Sequence, residues 1–268
     1  MPLDQLPTIL QSIGNTSGLL KEIYGDLAKP GVAQVGKALS TVFGLGNTLL
    51  LPLTLINEKA RMVAERNLDK YRKQLESVPE EQIANVPPEI GVPITEKLTY
   101  VTDDEISDLY VNLLAKASTV STAQLAHPSF THLIDSMSPD EALLIKVLRS
   151  TGDLAYIDVQ LIVNKATGEF FNIMPLLTGV EHLTKLQYPN NCIAYFSNLA
   201  GLGVLNIRHD IRMASDDPYK RVEDLYAARL KEVQVAPEMR LNFIKGKIEI
   251  TPYGHLFISA CGRKLNET

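Results

Sequence analysis

TDDEISDLYVNLLAKA, residues 102–117, decides the fold, because it carries both a helix start and a helix period. Thr102 and Glu105 have capping-box spacing, and Asp103 and Asp104 suit the positive end of a helix dipole. Ile106, Leu109, Tyr110, Leu113, Leu114 and Ala117 then recur at helical spacing. The same logic opens a second helix at SPDEALLIKVL, residues 138–148. Ser138 is its cap, Pro139 its first residue and Glu141 closes the box ahead of Ala142, Leu143, Leu144, Ile145, Val147 and Leu148. His127-Pro128-Ser129-Phe130 starts a shorter helix between them, which ends near Ile134. Residues 94–150 are therefore a helical core.

On the N-terminal side, residues 57–77 read as one helix with sparse apolar positions, Met62, Leu68, Tyr71 and Leu75. Pro79, Pro87, Pro88 and Pro93 follow, and residues 79–93 are expected to form an extended connector between domains. On the C-terminal side, residues 190–202 look helical, Val204 to Ile207 and Lys247 to Thr251 look like strands, and His255 to Cys261 is an apolar helix. Residues 208–240 are polar and irregular, and read as a long basic loop. The expected fold is mainly α, with helical N-terminal and central regions and a small α+β, winged-helix-like C-terminal part. Its divisions are 1–78, 79–93, 94–150 and 151–268.

The chain has 268 residues, enough for a sizeable core. Its 45% hydrophobic and 21% charged content is that of a globular protein. A net charge of -5 and the absence of Trp argue against a polyanion partner or a base-stacking platform, so nucleic acid is an unfavoured partner. Cys192 and Cys261 stand far apart without ligand spacing and read as buried thiols. The first thirty residues contain Asp4, Glu22 and Asp26 and no basic start, which gives a cytoplasmic expectation.

Ala38 to Asn57 (ALSTVFGLGNTLLLPLTLIN) is a run of twenty uncharged residues. As a helix it would cover about 30 Å, the hydrocarbon thickness of a bilayer. Gly44, Gly46 and Pro52 interrupt it, so a buried hairpin fits the composition equally well. The membrane reading assigns lipid contact to Val42, Phe43, Leu45, Leu49, Leu50, Leu51, Leu53, Leu55 and Ile56. It assigns anionic headgroups to Lys59, Arg61, Arg66, Lys70, Arg72 and Lys73.

Gly31 to Lys37 matches a phosphate-binding loop up to its lysine, but Ala38 replaces the magnesium-binding Ser or Thr, and a glycine-rich helix start is the better reading. His127 and His132 are five apart, which suits neither one helical face nor a zinc motif, and His127 reads as a helix-start residue. No nucleophile elbow or zinc-spaced Cys pair is present, so neither a catalytic residue nor a metal or cofactor is assigned. Arg208, His209, Arg212, Lys220 and Arg221 are the candidates for a partner or nucleic acid, diluted by interleaved Asp210, Asp216, Asp217, Glu223 and Asp224.

The strings EKLTYVTDDEISDLYVNLLAKAS, HPSF and MSPDEALLIKVL resemble the abortive-infection alpha family, a bacterial family associated with defence against phage. With the glycine-rich stretch, charged helix and proline-rich segment in the same order, the resemblance runs from about residue 30 to 150. It rests on Tyr110, Leu113, Leu114, Ala115, His127, Pro128, Ser129, Phe130, Ser138, Pro139, Asp140, Glu141 and Ala142, which mark the fold rather than a reaction. The resemblance implies phage resistance by abortive infection. One reading is a non-enzymatic effector, oligomeric and cytoplasmic, that reaches the inner membrane on activation through residues 38–57. The other is a soluble sensor or adaptor whose C-terminal part binds a phage-encoded trigger, a companion defence protein or nucleic acid.

Overall fold

The computed structural model describes residues 31–45 and 58–265. These form two compact units, one from the chain up to Met137 together with the segment from Leu256 on, the other from Ser138 to His255.

The first unit is helical. Its elements are α1 (Val32–Ala38), α2 (Ser40–Leu45), α3 (Glu58–Leu75), α4 (Pro88–Lys97), α5 (Asp104–Ala117) and α6 (Ser129–Asp135). Gly31 precedes α1 with φ +83°, so the glycine-rich segment is a helix start. The long helices α3 and α5 lie together over Leu68, Tyr71, Leu75, Leu109, Leu113 and Leu114, all buried. Polar side chains tie α3 to α5 and to the turn that leads into it. Asn67 Nδ2 donates to the carbonyls of Leu98 and Val101 at 2.9 Å, and Gln74 Nε2 donates to Asn112 Oδ1 at 2.7 Å.

Two expectations need correction here. The cap of α5 is Asp103, which accepts the Ile106 N–H at 3.0 Å, rather than Thr102. Both are short oxygen-bearing side chains, and the backbone turns helical one residue later than the spacing indicates. The segment 79–93 is also not an extended connector, since α4 begins at Pro88 and holds Pro93 inside it. A proline in a helix costs about 3 kcal/mol. Burying Ile90 and Ile94 offsets that at about 1.5–3 kcal/mol each, and Pro88 sits at the first helical position where its missing N–H is not needed.

The second unit opens with α7 (Pro139–Thr151), whose Ser138–Glu141 capping box is formed as the sequence predicts. Then come β1 (Leu154–Asn164), β2 (Glu169–Leu177), α8 (Cys192–Gly201), β3 (Leu205–Arg208), α9 (Asp217–Lys231), β4 (Arg240–Ile250) and α10 (Pro252–Cys261), the last running on into the first unit. The strands make an antiparallel sheet in the order β2-β1-β4-β3. One face packs on α9, where Ala155, Ile157, Val159, Met174 and Leu177 meet Tyr219, Val222 and Tyr226. The fold is thus mainly α with a small α+β part. The residues expected to be a basic loop instead contain α9, because Tyr219, Val222, Tyr226 and Leu230 keep helical spacing among the charges.

Candidate binding groove

The structure separates the residues singled out from sequence. Val42 is buried on α2, packed against α4 at Gly91, where an added Cβ would lie 2.3 Å from Val42 Cγ2. Phe43 and Leu45 also belong to α2, while Leu49, Leu50, Leu51, Leu53, Leu55 and Ile56 lie outside the described residues. Among the described residues no helix is long and apolar enough to cross a membrane. Of the six basic residues after that stretch, five have acidic partners within their own unit. Arg61 lies 3.7 Å from Glu65, Arg66 3.7 Å from Asp104, Lys70 2.8 Å from both Asp104 and Asp108, and Lys73 2.8 Å from Asp69, while Arg72 pairs with Asp69 and Glu76. Burial pulls the Lys70 pKa down, but its two carboxylates outweigh that and hold it above the usual lysine value. Lys59 is exposed.

Motif residues make contacts inside their own units. Tyr110 donates its hydroxyl to Asp135, which also pairs with Lys97 at 2.7 Å, and burial followed by that carboxylate pushes the phenol pKa up. His127 Nδ1 accepts the Ser129 N–H at 3.2 Å and lies 2.7 Å from Ser129 Oγ, which is how it starts α6. Phe130 packs edge-on against Phe257 with ring centroids 5.4 Å apart. In the second unit Asp140, 3% exposed, accepts the N–H groups of Gln187 and Tyr188 at 2.7 and 2.8 Å and the Tyr195 hydroxyl at 2.7 Å. Burial raises its pKa, but these three donors prevail and the net value lies below the usual range. Glu141 closes the capping box and accepts Asn198 Nδ2 at 2.7 Å.

The five basic candidates of the C-terminal part are spread over β3, the segment after it and α9. Arg208 ends β3 and is bound by Asp210 at 2.7 Å and Glu249 at 3.1 Å, with Asp210 the larger cause of its raised pKa. His209 Nδ1 lies 2.6 Å from the Tyr156 hydroxyl. Lys220 and Arg221 ride on α9, and Arg212 precedes it.

A hollow the sequence reading did not anticipate lies beside β2. It has a volume of about 450 Å³, with the strand segment Ile173–Leu177 on one side, Pro189, Asn190, Cys192 and Ile193 on the other, and Glu181, Tyr226 and Arg229 completing it. The ladder between β1 and β2 is irregular here. Ile157 faces Leu177 while Val159 faces Met174, so three residues of β1 span four of β2 and the extra one bulges at Pro175–Leu176. Leu176 has φ +53°, the one positive value at a non-glycine among the described residues. Its N–H is held by Asp158 Oδ1 at 2.7 Å. Burial pushes the Cys192 thiol up to about 11, so it is a neutral wall of the hollow and no nucleophile. Tyr226, whose pKa is raised by burial and then by Glu181, donates its hydroxyl to that carboxylate. A second hollow of about 380 Å³, between Leu154, Met213, Val222 and Leu225, is mainly apolar. Pro175 within an apolar run was the available signal, since a strand proline marks an edge.

Fold and hollow together define a mainly helical protein with a small α+β unit that carries a groove beside β2, the strand that pairs only with β1 among the described residues. The chain belongs to the abortive infection alpha family, whose model matches residues 63–261. The match therefore extends through the second unit, well past the limit near residue 150 set by the sequence strings. No curated protein matches the chain. A solved structure of an uncharacterized protein from the hydrocarbon-degrading marine bacterium Alcanivorax borkumensis SK2 is similar at 16% identity and a TM-score of 0.31, over 54% of this chain and 96% of that one.

Proposed function

We propose that this abortive-infection protein acts by recognition, and that the groove beside β2 is the surface through which it senses a phage-encoded protein. The supporting observation is the β2 edge, which pairs only with β1 among the described residues, beside a 450 Å³ hollow lined by the exposed Ile193, with Phe170 and Phe171 exposed earlier on the same strand. Exposed aromatic and aliphatic side chains beside unpaired strand backbone are the chemistry of protein contact. A membrane effector draws less support, because Val42 is buried and five of the six basic residues are engaged by acids. Nucleic acid is disfavoured by the net charge of -5 and by the carboxylates holding Arg208.

The test is phage plating on cells carrying wild type or Ile193→Asp, with protein level and circular dichroism as controls and dye uptake as a readout of membrane integrity. Loss of protection by the folded variant is the expected result. Full protection by Ile193→Asp, or loss of protection only when Leu50→Asp abolishes dye uptake, overturns the reading.

A further inference from the structure

The groove beside β2 has the form of a receptor for an extended chain. Five consecutive residues of β2, Ile173 to Leu177, line it across the bulge, with Pro189, Asn190, Cys192 and Ile193 completing the wall, so the hollow sits where the edge of β2 ends. That edge is the outer one, because β2 pairs only with β1 among the described residues. Its outward N–H and C=O groups are a template for one more strand. Pairing cannot run on past Pro175, which has no N–H to donate, and the bulge at Leu176 breaks the register. An added strand must end there, in the hollow that also contains Arg229. The exposed guanidinium of Arg229 offers a partner to an anionic chain end. The Glu181 carboxylate is engaged by the Tyr226 hydroxyl, whereas Arg229 is exposed and has no ion pair among the described residues.

Resting on the recognition reading above, we propose that the groove binds the free C-terminus of a partner protein. The last residues add to β2 as a fifth strand, an apolar side chain enters the hollow between Met174 and Ile193, and the terminal carboxylate pairs with Arg229.

The probe is a fluorescent octapeptide of alternating valine and threonine behind two solubilising lysines, ending in a free carboxylate, titrated into the full chain by anisotropy. Its amidated twin is expected to bind about tenfold more weakly, and Arg229→Gln to bring the two together. N-methylation of one alternate set of amides is expected to abolish binding while the other set is tolerated, since only one set faces β2. Equal binding of acid and amide, equal effects of both methylation sets, or no binding overturns the proposal. So does light scattering that shows a dimer closed through β2 and broken by Ile173→Asp, which would give the edge to a second copy. The two readings fail separately. Peptide binding with full protection by Ile193→Asp removes the function reading and keeps the binding mode, whereas lost protection without peptide binding does the reverse.

Discussion

Asp158 on β1 reaches across the ladder to hold the backbone N–H of Leu176 on β2 at 2.7 Å, so a buried carboxylate fixes the one non-glycine left-handed residue among those described. Without that acceptor the Leu176 N–H would be buried and unpaired, which costs about 1–3 kcal/mol. Asp158→Ala is expected to lower the unfolding free energy by that amount, read as a lower urea midpoint at unchanged slope, and to weaken binding in the adjoining groove. A variant with wild-type stability would show that the bulge is held by the surrounding chain rather than by the carboxylate.

Asp140 carries a pH signature. Its folded pKa is depressed by three hydrogen-bond donors, so its contribution to stability is full above the unfolded value near 3.9 and is lost as pH falls through the lower folded value. Asp140→Asn is expected to cost about 2 kcal/mol at pH 7. Thermal melts should show the gap between wild type and variant narrowing toward pH 3. A gap that stays constant with pH would mean that the charge of Asp140 adds nothing to its role as an acceptor.

The two capped helices were legible because a cap and a period are local signals. Ser138 and Glu141 are three residues apart in sequence and bonded in space, so the capping box needs no tertiary information. The hairpin of β1 and β2 was missed for the opposite reason. LAYIDVQLIVN is nearly continuous in apolar residues and has no alternation to read, because the strand is buried on both faces from Ala155 to Val159. Charge hid α9. Lys220, Arg221, Glu223 and Asp224 surround Tyr219 and Val222, and the helix stands because those two side chains find the sheet. Of the groove only Pro175 left a mark in the sequence, since Ile173, Cys192 and Arg229 meet only through strand pairing and helix docking.

Lys70 and Lys59 separate a structural basic residue from a solvated one. Lys70 Nζ is 2.8 Å from Asp104 and Asp108 and 2.9 Å from Ser107 Oγ, whereas Lys59 is exposed. Lys70→Met is expected to destabilise the protein by about 1 kcal/mol, and Lys59→Ala by less than about 0.5 kcal/mol. Neither should change sedimentation with anionic vesicles. A vesicle affinity that falls with Lys70→Met at unchanged stability would restore the headgroup role.

Gly246 on β4 faces Tyr156 on β1, and a Cβ at Gly246 would sit 2.2 Å from the tyrosine Cζ. The ring cannot yield easily, because Tyr156 is fully buried with its hydroxyl 2.6 Å from His209 Nδ1 and 3.2 Å from the Arg208 carbonyl. Gly246→Ala is therefore expected to cost about 1–3 kcal/mol through overpacking. In a Tyr156→Leu background the clashing ring atoms are gone, and the same alanine should cost nothing or stabilise by about 0.5–1 kcal/mol, the usual penalty of glycine inside a strand. The double-mutant cycle thus predicts a coupling of about 2 kcal/mol between the sites. An additive cycle would mean that the strand backbone, not the ring, demands glycine there, even though Gly246 is absent from the positive-φ positions and so has no conformational need of its own.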